Sequence, residues 1–159
     1  MKSLEFAIKM EKDGEQYYLE QAKVHQGTGL EKVFLLLAQD EQEHARILQH
    51  HADQIEYALE DGLAYQAFRN VFSDLDEFKV EEKQLPDQLD AYEHALKFEE
   101  DAINLYHDML AEAETETDKR LFQFLIEQEK LHKQVFQDIV EHLRKAKQWV
   151  ESAEFGLQE

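Results

Sequence analysis

The chain has 159 residues, of which 43% are hydrophobic and 33% are charged, a composition typical of one soluble globular domain. The absence of cysteine excludes disulfides, thiolate catalysis, iron–sulfur clusters and Cys-ligated zinc sites. With 36 acidic and 17 basic residues, the formal charge of −19 argues against nucleic acid or an anionic membrane as a partner.

The first two predicted helices form a hairpin. The whole chain has only five glycines and one proline, which favours long helices over turn-rich β structure. The first helix runs from about residue 3 to residue 25, and its apolar stripe contains Leu4, Ile8, Tyr18 and Ala22. Thr28 and Glu31 form a capping box that starts the second helix, which we expect to end at Asp61-Gly62. The apolar face of this second helix contains Val33, Leu37, Leu48, Ile55 and Leu59.

A crossover connection over residues 62–86 separates this hairpin from a second one, and we expect part of it to be helical. The third helix starts after the single proline, with Asp87 as its N-cap, and runs to about Glu114. Its stripe contains Leu89, Tyr92, Leu96, Ala102, Tyr106 and Met109. The fourth helix starts near Thr117, and its apolar side contains Leu121, Leu125, Phe136, Ile139 and Leu143. The pattern predicts a single all-α domain over residues 1–159, a four-helix bundle of two antiparallel hairpins.

The two hairpins repeat each other at a constant offset of 88 residues. The segment 7–18 matches 95–106, and the segment 34–44 matches 122–132 without a gap. The identical pairs include Glu11 with Glu99, Tyr18 with Tyr106, Glu41 with Glu129, and His44 with His132. Two similar half-bundles would pack about a pseudo-twofold axis, so each contribution to the centre would occur twice.

Six of the repeated residues are polar and interrupt the apolar stripes: Glu11, Glu41, His44, Glu99, Glu129 and His132. Four buried carboxylates need neutralisation, and no Lys or Arg recurs at a matching stripe position. Two divalent cations would supply the missing charge. One Glu from each of two helices and a Glu-x-x-His from each of the other two is the ligand set of dimetal carboxylate bundles. A single Glu-x-x-His is more often a solvated face, but the second copy favours a metal site, with iron or manganese preferred and zinc possible.

Tyr18 and Tyr106 follow Glu11 and Glu99 by seven residues, on the same helix faces. Their phenols either pack in the core, take part in redox chemistry, or hydrogen-bond a ligand carboxylate and fix its orientation. The histidines that do not recur at the offset are expected on the surface: His25, His50, His51, His94, His107 and His142.

Nothing in the sequence indicates a targeting or membrane segment. No run of about 18 or more apolar residues is present, and the first ten residues lack the apolar core of a signal peptide. We therefore expect a soluble cytoplasmic protein. The acidic surface either attracts cations or serves solubility alone.

With these motifs, the chain resembles the rubrerythrin-like members of the ferritin-like superfamily. The resemblance is carried by four segments: MEKDGEQYY (10–18), DEQEH (40–44), FEEDAINLY (98–106) and EQEKLH (127–132). It implies a homodimer or larger assembly with a di-iron centre, in which Glu41 and Glu129 bridge the metals and Glu11 and Glu99 are terminal ligands. His44 and His132 complete the implied ligand set.

The resemblance implies redox chemistry with peroxide, dioxygen or ferrous iron. The first hypothesis is a di-iron peroxidase or dioxygen reductase with an external electron donor such as rubredoxin, acting in oxidative stress. The alternative is a ferroxidase or iron-handling protein, and a third possibility is a metal-free helical interaction protein.

Two features depart from the rubrerythrin pattern. Rubrerythrins carry a C-terminal rubredoxin domain with four cysteines, and this chain has no cysteine. They also have an additional glutamate on the third helix. Here Leu96 and Ala102 stand one turn before and one turn after Glu99, so the resemblance does not extend to that ligand.

Overall fold

The computed structural model describes residues 2–72 and 89–156, which form helices and no strand. The helices are α1 (Lys2–Val24), α2 (Gly29–Ala52), α3 (Ala64–Phe72), α4 (Leu89–Glu112) and α5 (Glu116–Gly156). Helix α1 packs against α2 and α4 packs against α5, while α3 contacts α2 and α5. The predicted all-α bundle of two helical hairpins joined by a long crossover is confirmed. Asp87, the predicted N-cap of the third helix, lies outside the described residues.

The start of α2 is fixed by the side chains predicted to cap it. Thr28 is the N-cap, and its hydroxyl oxygen accepts the backbone N–H of Leu30 at 3.2 Å. The carboxylate of Glu31 accepts the N–H of Gly27 at 2.6 Å, one residue before the cap. These bonds satisfy amide donors that have no partner within the helix, so the chain turns back as a short hairpin.

The predicted extension of α2 beyond Ala52 is wrong. Gln54 adopts a φ of 60°, the left-handed conformation that ends many helices and is usually occupied by glycine. The N–H of Ile55 bonds to the carbonyl of His50 at 2.8 Å, which closes the helix with a Schellman-type bond. Ile55 is 52% exposed rather than on an apolar helix face. Leu59 packs against the core from outside the helix.

Two apolar clusters occupy the interior on either side of a polar middle layer. One contains Tyr18, Phe34, Tyr92, Phe136 and neighbours, and residues of α3 pack into it. The other contains Leu4, Ile47, Tyr106, Leu121, Leu125 and neighbours. The polar layer is therefore separated from solvent at both ends of the bundle by close-packed side chains.

The length and apolar character of a helix decide whether it could span a membrane. Within residues 2–72 and 89–156, no helix contains a stretch that is long and apolar enough to cross a bilayer.

Candidate metal centre

The polar middle layer contains all six repeated polar residues. Each is at most 3% exposed. Helices α1 and α4 each contribute one glutamate, and α2 and α5 each contribute a glutamate and a histidine one turn later. The six side chains are Glu11, Glu41, His44, Glu99, Glu129 and His132. The structure thus brings together every residue for which the sequence predicts a metal-ligating role.

The six side chains form two overlapping groups that could each hold a metal ion. One group is Glu11, Glu41, His44 and Glu129, and the other is Glu41, Glu99, Glu129 and His132. Within each group, one ligand atom per residue lies within 4.8 Å of the others. Glu41 and Glu129 belong to both groups. The two imidazole rings lie 5.9 Å apart between centroids and are nearly parallel.

The hydrogen bonding in this layer is incomplete. Among the described residues, five buried atoms of this layer have no hydrogen-bond partner: Glu11 Oε2, Glu41 Oε1, Glu99 Oε2, Glu129 Oε2 and His132 Nδ1. A buried polar atom without a partner costs roughly 1–3 kcal/mol, and native proteins tolerate few of them. No Lys or Arg side chain is buried among the described residues. Oxygen and imidazole donors with free lone pairs, clustered in this way, fit divalent cations.

The pKa values of Glu11, Glu41 and Glu129 are shifted in different directions in the metal-free protein. Burial raises the pKa of Glu41 well above its usual range, and the charges of Glu11 and Glu129 raise it further. Burial also raises the pKa of Glu129, followed by repulsion from Glu11 and Glu99. Burial acts in the same direction on Glu11, but a hydrogen bond with Glu41 and the charge of His44 outweigh it and lower its pKa. Protons therefore supply part of the neutralisation that cations would supply, and the two would compete.

His132 contacts carboxylates on both sides of its ring. Burial alone would lower its pKa, but contacts with Asp40 and Glu99 raise the pKa well above its usual range. The ring Nδ1 lies 2.8 Å from Glu41 Oε1, although this contact lacks the alignment of a hydrogen bond. On the opposite side of the centre, His44 Nδ1 lies 2.9 Å from Glu129 Oε1.

Each of the two tyrosines that the repeat identifies donates a hydrogen bond to a glutamate of the other hairpin. The hydroxyl of Tyr18 donates to Glu99 Oε1, and that of Tyr106 donates to Glu11 Oε1 at 2.5 Å. Both tyrosines are fully buried. Burial, followed by the charge of the accepting carboxylate, raises the pKa of each phenol well above its usual range. Both phenols therefore remain neutral donors, which supports the interpretation that they orient Glu11 and Glu99.

Two buried residues of this region escaped the sequence analysis, Asp40 and Gln128. Asp40 Oδ2 lies 3.0 Å from Nε2 of His132, behind the ring. Gln128 hydrogen-bonds Gly62 and Asp61 at the start of the crossover. The two positions are related by the same offset of 88 residues. The repeat does not reveal this pair, because the two positions carry different residue types.

The surface location predicted for His25 is wrong. Its side chain is 3% exposed, with Nδ1 2.7 Å from the carbonyl of Gln21 and Nε2 bonded to the hydroxyl of Tyr92. Of the other five histidines, His94 and His107 are exposed, and His50, His51 and His142 are partly buried. Burial lowers the pKa of His25, so it stays neutral as a structural residue between α1 and α4.

A surface cavity of about 320 Å³ reaches one side of the centre. His44 forms part of its wall, together with four acidic residues: Asp40, Glu43, Glu60 and Asp61. Carboxylates around such an opening raise the local concentration of cations. The cavity therefore connects the acidic surface with the His44 side of the centre.

Comparison with known proteins gives one match. The sequence model of the family described as Rubrerythrin matches residues 2–140. This range includes every residue of the polar middle layer. No curated protein and no solved structure matches the chain.

Proposed function

Because this chain belongs to the rubrerythrin family, we propose that it is a non-haem di-iron oxidoreductase that reduces hydrogen peroxide or reacts with dioxygen. Membership confirms the resemblance and the ferritin-like bundle that the sequence predicts. The observation that carries the proposal is the pair of buried donor groups that share Glu41 and Glu129. Neutral imidazole with carboxylates suits iron, and manganese and zinc are the alternatives that metal analysis would distinguish.

In this proposal the six residues hold two iron ions. Glu41 and Glu129 would serve both ions, because both residues belong to the two donor groups. Glu11 and His44 complete one position, and Glu99 and His132 complete the other. Tyr18 and Tyr106 fix the terminal glutamates, so the donor atoms are oriented before an ion binds.

Two ferrous ions, when bound, supply one electron each, which matches the two electrons that peroxide reduction to water requires. The protein contributes orientation and charge. Four carboxylates offset the four positive charges of two divalent ions, and the apolar clusters above and below limit access of water. Both phenols stay protonated and keep Glu11 and Glu99 in place.

The partners follow from the same proposal. For re-reduction of the centre we propose an external electron donor such as rubredoxin, since these 159 residues contain no cysteine that could hold a rubredoxin iron. The homodimer, the cytoplasmic location and the role in oxidative stress stay predictions.

The test is stopped-flow mixing of the diferrous protein with hydrogen peroxide. We expect oxidation to be faster than that of free ferrous ion, and Glu41→Gln to slow it to the rate of the free ion. Glu127→Gln is the matched control, since Glu127 is two residues from Glu129, pairs with Lys130 on the surface and does not line the cavity beside His44. A wild-type rate no faster than that of free ferrous ion would disprove the proposal.

The acidic cavity beside His44 favours a second candidate, a ferroxidase or iron-handling protein. Glu43 and Glu60 line the cavity without belonging to either donor group. If the protein handles iron, Glu43→Gln combined with Glu60→Gln should slow ferrous uptake, and iron should accumulate well beyond two ions per chain. A fixed content of two ions in a small oligomer would favour the oxidoreductase instead.

A further inference from the structure

The two halves of the centre differ behind their histidines. The carboxylate of Asp40 lies 3.0 Å from Nε2 of His132, on the side of the ring that faces away from the centre. The position equivalent to Asp40 in the other half is Gln128, which is neutral. Both side chains are buried, at 6% and 3% exposure.

Asp40 is held where it is by the start of the crossover. Its oxygens accept the backbone N–H groups of Leu63 at 3.2 Å and Ala64 at 3.3 Å. Gly62 lies directly against the carboxylate, because a Cβ at that position would overlap Asp40 Oδ2. The position of the carboxylate is thus determined by two amides, one glycine and the imidazole.

The contact with Asp40 fixes which nitrogen of His132 faces the centre. A carboxylate accepts, so Nε2 carries the hydrogen and donates it. In the neutral ring the lone pair then lies on Nδ1, which has no hydrogen-bond partner and faces Glu41, Glu99 and Glu129. A carboxylate behind a ligating imidazole fixes the tautomer and makes the ligand more basic.

Gln128 does not provide the same support to His44. Its amide oxygen accepts the N–H of Gly62 at 2.8 Å, and its amide nitrogen donates to Asp61 at 3.0 Å. Within the described part of the chain, the ion pairs of His44 all involve Nδ1, and none involves Nε2. Among the described residues, no carboxylate therefore lies within ion-pair distance of Nε2 of His44, whereas Asp40 lies 3.0 Å from Nε2 of His132.

We propose that Asp40 is a positioning residue that makes the two metal positions unequal, so that the position facing His132 fills before the position facing His44. The inference rests on the proposed function, because it requires two bound ions. Repulsion between two cations alone would cause stepwise filling of any dinuclear site. The distinctive claim is therefore which position fills first, and that Asp40 decides it.

The experiment is a titration of the metal-free protein with Co(II), followed by proton NMR of the imidazole N–H groups, which paramagnetic Co(II) shifts far from other signals. The first equivalent should reveal the His132 signal, which exchanges slowly because Asp40 accepts this proton. The second equivalent should reveal the His44 signal. In Asp40→Asn the first binding step should weaken by about 10- to 100-fold, and the two signals should emerge together.

Two further variants separate positioning from a structural role. Gly62→Ala keeps the charge of Asp40 but forces its carboxylate to move, so it should shift the His132 signal and weaken the first step in the same direction as Asp40→Asn. Gln128→Ala loosens the same loop without touching the contact between Asp40 and His132. It should keep both the order of filling and the affinity of the first step.

The possible failures are distinguishable. If Asp40→Asn and Gly62→Ala fill in the wild-type order with wild-type affinity, or if Gln128→Ala abolishes the order equally, the inference is overturned while the di-iron proposal stands. If the wild-type protein binds fewer than two Co(II) ions, the proposed function is overturned and the inference with it.

Discussion

The α1–α2 hairpin and the α4–α5 hairpin each place one lone glutamate and one Glu-x-x-His pair in the same buried layer, and each places one tyrosine in the apolar cluster on one side of it. One shell further out they differ. Asp40 in the first hairpin corresponds to Gln128 in the second, and His25 corresponds to Ala113. His25 and Asp40 each contact the opposite hairpin, through Tyr92 and His132.

This difference shows which constraints the two halves share. The repeated residues of both hairpins face the same group of buried charges. A substitution in either hairpin therefore changes the charge balance of the whole group. The residues behind them are not repeated, so the contacts that such a residue makes in one hairpin have no equivalent in the other hairpin. Four predictions test how far the equivalence extends, beginning with the largest expected effect.

The two hairpins should be fully equivalent at the two glutamates that belong to both donor groups. Glu41→Gln and Glu129→Gln should each reduce the metal content from two ions per chain to one or none. The metal-free variants should melt at the same temperature as the wild type or higher, because a carboxyl that burial and repulsion disfavour becomes neutral. Elemental analysis after native purification and thermal unfolding measure the two effects.

Glu127→Gln is the matched control, since this exposed residue is two positions from Glu129 and pairs with Lys130 on the surface. It should keep both ions. A variant of one shared glutamate that retains two ions, while the other loses them, would show that the halves are not equivalent at the centre.

The metal-free protein should become less stable as the pH rises from about 5 to about 8. The native-state pKa values of Glu41, Glu129 and His132 are raised. Their stabilising contributions are complete below the unfolded-state pKa values of about 4.3 for Glu and 6.5 for His. These contributions are lost as the pH rises through the native-state pKa values, because the folded protein then gives up protons that had favoured it.

Glu11 and Asp40 act in the opposite direction, since their lowered pKa values contribute stability that is lost as the pH falls below about 4. Metal should reverse the trend above pH 5, because cations compete with protons for the same atoms. Urea unfolding at several pH values, with chelator and with added Fe(II), measures both trends. A metal-free protein that is most stable near pH 8 would contradict the protonated carboxyls.

The equivalence should also hold at the tyrosines. Tyr18→Phe and Tyr106→Phe each remove a hydrogen bond to a buried glutamate, which should cost about 1.5–3 kcal/mol in the free energy of unfolding. Each should lower metal affinity by about 10- to 100-fold. Tyr65→Phe, on α3, is the control. Effects that differ by much more than about threefold in affinity would show that only one of the two glutamates depends on the phenol that donates to it.

The smallest effect should come from a residue that has no identical counterpart in the other hairpin. His25→Asn loses the hydrogen bond to Tyr92, at a cost of about 1 kcal/mol, with no change in metal content. His107→Asn, at an exposed histidine, should change stability by less than about 0.5 kcal/mol. Equal effects of the two variants, measured by urea unfolding, would mean that the buried position of His25 carries no stability.

Several features follow from the sequence because their causes are local or repeated. Helix α2 begins after Thr28 because the side chain of this residue caps the N-terminus of the helix. Glu11, Glu41, Glu99 and Glu129 interrupt apolar stripes, and helical periodicity alone places them on buried faces. The repeat at 88 residues distinguishes them from the many other acidic residues of the chain.

Other features were decided only by tertiary packing. Helix α2 ends where Gln54 adopts the left-handed conformation, which a glutamine in the sequence does not predict. His25 is buried because Tyr92, 67 residues away, packs against it, and Asp40 is buried because the crossover covers it and His132 bonds to it. Local sequence determines which face of a helix is apolar, but only the neighbours brought by the fold decide which polar residues beyond that face become enclosed.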